Sequence, residues 1–484
     1  MQPAPLRIAF LPLALLLAVP AAAQWSTALL TTARQGLSAA TVGDLALFAG
    51  GRANLTTSPV VDIYDRATGT WTTATLSVPR SDFAATTIGP YALFAGGAID
   101  GFTEAAVVDV FDSRTRTWST TTLSQARFSL AATTVGGKAI FAGGAIGGIG
   151  TGGAVPSAVV DVYDSSIGAP SDPNAWSTTV LSRPRGGLVA ASAGGKALFA
   201  GGFDGFAPSG TVDIYDDATG TWSTASLSQA RMLNEGTAAA VGTRICLVGG
   251  QTGVTTMSNV IDVYDASSGG WSSTAMSVAR LRPGVAVVGS SVLIAGGTMD
   301  NHVSTNLVEV FDPATATFGS TQQLSVARGD LVGVTLGGRA MFAGGWTRTT
   351  TAARRVDILD TASVETVRLG TPANADALRP GMTSGPVLGA TWDPYVDHAS
   401  FMPGAILDAL LVGFGPANAP TPFGTILCNT TGAIALTGPA GSPILLPIPM
   451  DNQLLGVTLN VQGVALDATS FALANALDIT LGSR

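Results

Sequence analysis

Residues able to carry acid–base, metal or nucleophilic chemistry are few in this chain of 484 residues. The histidines are His302 and His398, and the cysteines are Cys246 and Cys428. Four such residues without a CxxC spacing do not assemble a multi-ligand zinc site or a disulfide framework. Cys246 and Cys428 read as two separate buried thiols. Arginine, by contrast, recurs at Arg34, Arg80, Arg127, Arg185, Arg231, Arg280 and Arg328, usually in the context Leu-Ser-x-Ala-Arg. An acid recurs with it, at Asp62, Asp109, Asp161, Asp213, Asp262, Glu309 and Asp357. A pair repeated in this way is expected to make one structural bond many times, the carboxylate accepting from the guanidinium. Both residues are scaffold groups before they are catalytic acids or an anion ring. Asp82 and Asp330 follow two of the arginines with no positioned partner apparent. The Gly-rich run GGAIGGIGTGG lacks the Lys and the following helix of a phosphate-binding loop.

The remaining chemistry lies in polar segments that differ from one another. Asp100, Phe102 and Glu104 fall within residues 98–106, and Phe203, Asp204 and Phe206 within 203–210. Asp300 and His302 fall within 298–306, and Trp346 and Arg348 within 346–354. Rings beside carboxylates suit glycans, because a ring stacks on the apolar face of a sugar while carboxylates accept from its hydroxyls. They also suit a peptide, and as loop tips they serve equally well to pack one loop on another. No residue set selects a catalytic role, a cofactor or a metal.

The elements that position these residues are legible from composition and repetition. Hydrophobic side chains make up 46% of the chain and charged ones 12%, which excludes a disordered polypeptide. Gly numbers 60, without a Gly-x-y period, which excludes collagen. Lys plus Arg total 24 against 32 Asp plus Glu, so no basic tract follows a nucleic-acid backbone. Arg7, the apolar run from Ile8 to Val19 and the small residues Ala21, Ala22 and Ala23 form a signal-peptide pattern over residues 1–23. The run is too short for a spanning helix and no second apolar anchor follows, so export without an integral membrane segment is expected, as a monomer.

Seven apolar segments end in a Gly pair, from LALFAGG at Gly50-Gly51 to RAMFAGG at Gly344-Gly345. Successive pairs are 46, 47, 58, 48, 47 and 48 residues apart, the signature of tandem structural units. Each pair is followed by a variable segment, then a run such as VVDIYD, then a turn leading to Trp71, Trp118, Trp176, Trp222, Trp271 or Phe318. Trp25 stands one period before Trp71. The 58-residue interval holds two expansions, residues 145–156 and 165–174, which read as loops grafted onto one unit.

This order of paired Gly, Tyr/Phe-Asp segment and Trp resembles the kelch repeat of β-propellers, over residues 25–370. The resemblance implies an all-β fold, a seven-bladed kelch-type propeller over residues 24–369 with four antiparallel strands per blade. Radial stacking of such blades buries both faces of each. It places the variable segments between the second and third strands, on the face where the chain crosses from one blade to the next. Closure is open to the segment 25–29 or to 363–369; Trp25 favours the first, with 363–369 passing into a linker. The resemblance also raises enzymes. The copper-radical galactose oxidases need a crosslinkable Cys-Tyr pair and two His, but Cys246 sits in the apolar strand RICLVGG and His398 lies beyond the repeats. A sialate epimerase or glycosidase type needs an Arg and two carboxylates converging at the central mouth.

After a connection at 370–383, short β-compatible runs such as ALLVGFG, SPILLPIP and LDITLG alternate with Pro, Gly and Asn turns. They predict a small β-sandwich over 384–484, which resembles C-terminal modules of secreted bacterial proteins. The expected function is that of an exported, non-enzymatic protein presenting variable loops to a glycan or an extracellular protein, with a carbohydrate-active enzyme or a purely structural envelope protein as alternatives.

Overall fold

In each Gly-pair repeat the second strand is apolar on both faces, so it must be covered from both sides, and neighbouring blades do this. The computed structural model describes residues 25–482 apart from 54–55, 101–102, 148–152, 234–236, 301, 348–350, 361–363, 370–372, 381–384, 389, 398–401, 414–415, 430–432 and 449–456. The first blade runs outward as Ser38–Val42, Leu45–Ala49, Val60–Asp65 and Thr70–Thr75, every neighbour antiparallel. Five more blades repeat this order, the sixth with its outer strand broken into Thr317–Phe318 and Gln322–Gln323. The seventh takes Val332–Leu336, Arg339–Ala343 and Arg355–Asp360 from the end of the repeats and Trp25–Leu29 from their beginning. Innermost strands of adjacent blades touch all the way round, including the first against the seventh.

The N-terminal strand therefore closes the ring. Trp25 opposes Leu359 in register, as Trp71 opposes Tyr64 in blade one, and its ring lies 6.1 Å from Phe342. Between blades the core is a series of apolar clusters, such as Leu47, Ala49, Val61, Phe83 and Phe94 between blades one and two, with Trp118 packed at its outer end. The Gly pairs are needed where blades approach. Gly96 has φ +70°, and a Cβ there would stand 2.6 Å from the carbonyl oxygen of Arg127 in the next blade. The long third unit accommodates its expansions at two turns. One is the ribbon Ala145–Ile146 with Val155–Pro156; the other includes the short 3-10 helix Pro173–Ala175, capped by Asp172.

The chain divides into two compact units, Gln24–Ala362 and Ser363–Gly482. This moves the expected boundary at 369. Residues Val364–Arg368 form the edge strand of a five-stranded antiparallel sheet, paired with Phe471–Thr480, instead of leading into a linker. Within the expected linker 370–383, the described residues 373–380 pack into the module. Leu378–Arg379 pairs with Tyr395–Val396, and Ala377 and Leu378 are buried in the module's core with Trp392, Leu410 and Leu477. Buried amides fasten this segment: Asn374 Nδ2 donates to the carbonyls of Thr425 (2.7 Å) and Ala474 (2.9 Å), and Asn475 Oδ1 accepts from the N–H groups of Ala377 and Leu378. Alternate residues of Leu407–Gly413 enter opposite cores, Leu410 and Val412 on one face, Ala409 and Leu411 on the other. Short two-stranded pairs complete the layers.

Candidate functional site

The seven repeated arginines are fully buried, and each pairs with the acid on the third strand of its own blade. The Arg80–Asp109, Arg127–Asp161 and Arg231–Asp262 contacts measure 2.6, 2.7 and 2.8 Å. The other carboxylate oxygen accepts from a backbone N–H at the crossing between blades, at 2.8–3.3 Å, from Thr31 in the first blade, from Ser277 after Met276 in the sixth and from the Ser of the Leu-Ser motif in the rest. Guanidinium groups also donate to main-chain carbonyls, as Arg34 does to Gly50 and Val60. Burial pulls the arginine pKa values down while the partner carboxylates push back. An arginine starts so high that the guanidinium stays charged at neutral pH. These groups are consumed in fastening each crossing to its blade.

Each crossing also brings the loop after the Gly pair, here called the crown loop, onto its own face. Isolated bridges join Gln35 to Arg52, Ser81 to Ala98, Phe128 to Ala145, Gly186 to Phe203, Met232 to Gln251, Leu281 to Thr298 and Gly329 to Trp346. Crown loops and central mouth therefore share one face.

The mouth is ringed by the residues two positions after the arginines. Gly36, Asp82, Ser129, Gly187, Arg282 and Asp330 all have φ between +48° and +64°. In blade five Leu233, two positions after Arg231, is buried against the Gly pairs as Leu188 is in blade four, and residues 234–236 lie outside the described residues. Main-chain bonds link the ring from blade to blade: Asp82 N–H to Gly36 O (3.2 Å), Ser129 to Asp82 (2.8 Å), Gly187 to Ser129 (3.0 Å) and Asp330 to Arg282 (3.2 Å). Asp82 and Asp330 do have positioned partners, contrary to the sequence reading. Arg52 lies 3.4 Å from Asp82, whose carboxylate also accepts from Ser81 Oγ at 2.8 Å, and Arg282 lies 3.1 Å from Asp330. Asp82, Ser129, Arg282 and Asp330 line one cavity of about 190 Å³, walled below by Ala39, Ala85, Ala132, Ala190 and Ala238. Sequence inspection passed over this ring. The signal was available, because a column of equivalent positions in a closed repeat lies at one height around the axis.

The crown-loop residues singled out by sequence are spread around this mouth. Phe206 is 95% exposed and Phe203 is 37% exposed, in the loop of blade four. Asp204 Oδ1 accepts from the N–H groups of Phe206 and Ala207, both at 2.9 Å, and these bonds hold its carboxyl below the usual range. Asp100 closes its own loop by accepting from Thr103 N–H at 3.2 Å. Glu104 accepts from Gly147 N–H (2.7 Å), tying its loop to that of the following blade, and Asp300 accepts from Met257 N–H (2.6 Å), tying its loop to that of the preceding one. His302 is exposed with φ +59°. Trp346 is half-buried, its buried indole N–H finding no hydrogen-bond partner among the described residues and packed on Gly329. Phe102 and Arg348 lie outside the described residues. Among the described residues no three His, Cys, Asp or Glu side chains are grouped to hold a metal.

A family model for the kelch motif matches residues 279–318, within blade six. No curated protein matches the chain. Among solved structures it is similar to the structure of YjhT, with a TM-score of 0.45 and 14% identity over 60% of this chain and 96% of that one. Seven four-stranded antiparallel sheets in a closed ring, with a kelch motif in the sixth, make the fold a kelch-type β-propeller carrying an added β-module.

Proposed function

We propose that this is an exported binding protein that presents its crown-loop face to a glycan, peptide or cell-surface partner without turning it over. The observation that carries this reading is the division of labour along each repeat. The repeated charged groups are buried in the scaffold, while dissimilar loops share one face and expose Phe203 and Phe206 there. Variable loops on a rigid frame are the usual place for recognition. The test is binding of residues 24–484 to immobilised glycans and to purified surface extract. Replacing Phe203 and Phe206 together by Ala is expected to weaken binding about tenfold or more while leaving thermal unfolding unchanged. A large loss of stability with unchanged binding removes the two rings from recognition.

Export rests on the pattern in residues 1–23. The protein recovered outside the cytoplasm is expected to begin at Gln24 or Trp25 by intact mass, and a retained Met1 there counts against it. No helix among the described residues is long and apolar enough to cross a membrane. One observation favours the carbohydrate-active enzyme as a second reading: Arg282, Asp82 and Asp330 line a common cavity. Turnover of a sugar that is lost on Asp330→Asn decides for it; binding of the same sugar without a product decides against it.

A further inference from the structure

We infer that a cleft at the ring-closure seam, in blade seven, binds a carboxylate carried on a small apolar body. The inference stands apart from recognition by Phe203 and Phe206, which belong to the loop of blade four. The cleft, about 300 Å³, lies where the crossing from blade six meets the third strand of blade seven and the closing strand. Leu29, Val326 and Ala353 give it an apolar wall, and Arg354 and Arg355 line it beside them. Leu29 and Arg355 stand directly opposite each other in the ladder. Sites for drug-sized ligands span roughly 300–1,000 Å³, so this one suits a body no larger than an amino acid.

Blade seven departs from the repeat at these positions. The residue that opens the third strand is Val60, Val107, Val159, Thr211, Val260 or Leu307 in the first six blades and Arg355 in the seventh. The residue before it is Pro59, Ala106, Ala158, Gly210, Asn259 or Asn306, against Arg354. Six blades build the same ladder without an arginine there, so the scaffold needs neither. The two residues also break the chain's habit with charge. Among the described side chains, every Lys and Arg except Arg183, Arg354 and Arg355 is in an ion pair. Arg354 is exposed, and Arg355 reaches only the hydroxyl of Thr27, at 3.4 Å. Residues 348–350 of the adjoining loop, outside the described residues, are Arg, Thr and Thr, so they bring no carboxylate. In a chain of net charge -8, two adjacent cations with no acid beside them make a local attraction for an anion.

The surroundings select the anion. Arg328, also in the wall, has its guanidinium committed to Asp357 and to the carbonyls of Gly344 and Arg355. Burial lowers its pKa most, and the like charge of Arg355 lowers it further against the pull of Asp357. An anion at Arg355 relieves that repulsion. The N–H groups of Thr347, Ala353 and Arg328 are given to the carbonyls of Thr351, Gly345 and Thr305, which leaves the guanidinium forks of Arg354 and Arg355 as the charged donors at hand. Two forks match the two oxygens of a carboxylate. A phosphate ester brings a third oxygen and a second charge against an apolar wall, where an unpaired polar atom is costly. An anion without an apolar body leaves Leu29, 47% exposed, uncovered. The chemistry selected is a carboxylate on a body the size of a leucine or phenylalanine side chain. A free acid and the C-terminus of a peptide both present it.

The test is calorimetry and ligand-observed NMR of residues 24–484 with isocaproate, hydrocinnamate and a pentapeptide ending in Leu, each beside its amide, and with acetate and phenyl phosphate. The acids are expected to bind about tenfold or more tighter than their amides and than acetate, and hydrocinnamate tighter than phenyl phosphate. Arg354→Asn with Arg355→Val gives blade seven the residues of blade five, Asn259 and Val260, so this variant should keep its melting temperature and lose binding about tenfold or more. Leu29→Thr, matching Thr75 and Thr122 at the same register, should bring the affinity for isocaproate toward that for acetate. Tighter binding of the peptide than of isocaproate assigns the cleft to chain ends, and equal binding assigns it to free acids. The double Phe203→Ala, Phe206→Ala variant should bind isocaproate unchanged. Equal binding of acid and amide, preference for phenyl phosphate, absence of binding at millimolar acid, or full isocaproate affinity in either seam variant overturns the inference. The crown-loop reading fails separately, when the phenylalanine variant keeps full affinity for the crown partner.

Discussion

At the scale of single residues, the strongest structural commitments are the seven buried ion pairs, and removal of one partner should expose their cost. Arg185→Ala or Asp213→Asn leaves an uncompensated charge or an unfilled fork in a site from which water is excluded. Such losses amount to about 3–5 kcal/mol, readable as a lowered urea midpoint for the propeller. Arg185→Lys is expected to fail as a rescue, since a point charge cannot reach Asp213 and the carbonyls of Gly201 and Thr211 together. Cys246 is also committed to the core, where burial pushes its thiol up to about 12. It should stay unreactive to thiol reagents in the folded protein and react on unfolding. The ion pairs were legible in sequence because each one was written seven times. The mouth was not, since no two neighbours in its ring are the same residue type and only the closed circle brings Asp82 and Asp330 to one cavity.

At the scale of elements, ring closure depends on five residues. The strand Trp25–Leu29 is mostly exposed and is held by its ladder to Arg355–Asp360, by Trp25 against Phe342 and by Trp25 Nε1 donating to Gln322 at 2.8 Å. Deleting residues 24–30 should leave blade seven with a bare edge strand, lower the melting temperature and promote association, as measured by calorimetry and light scattering. The turns between third and fourth strands repeat a second device. Asp65, Asp112, Asp164, Asp216 and Asp265 each accept from the backbone N–H two residues on. All five are held below the usual carboxylate range; Asp112 falls to about 2, mainly through its bond to Arg114. A folded pKa below the unfolded one means that the unfolded chain binds more protons as the solution is acidified. The contribution is therefore complete above about pH 4 and is lost as pH falls toward 2. Replacing the five by Asn should flatten the fall of the melting temperature across that window.

At the scale of the whole molecule, the two units make a clear prediction about where the chain can be cut. Residues 363–484 should fold alone, because they carry the edge strand Val364–Arg368 and the core residues Ala377 and Leu378. Residues 384–484, the expected module, lack both and should expose the faces those segments cover, giving a broad transition by circular dichroism. Sequence by itself determined the propeller: seven Gly pairs at near-constant spacing, a repeated Arg–acid pair and an aromatic before the first repeat leave few other ways to bury the apolar strands. It also marked the crown loops as the variable part. It could not bound the C-terminal module, whose edge strand and buried amides Asn374, Gln462 and Asn475 occur once each and have no period to betray them. Nor could it assemble the mouth. Residues 82 and 330 are far apart in the chain, and only a ring closed by its first strand places their carboxylates around one cavity. Local periodicity is a property of sequence, whereas convergence on an axis belongs to the closed fold.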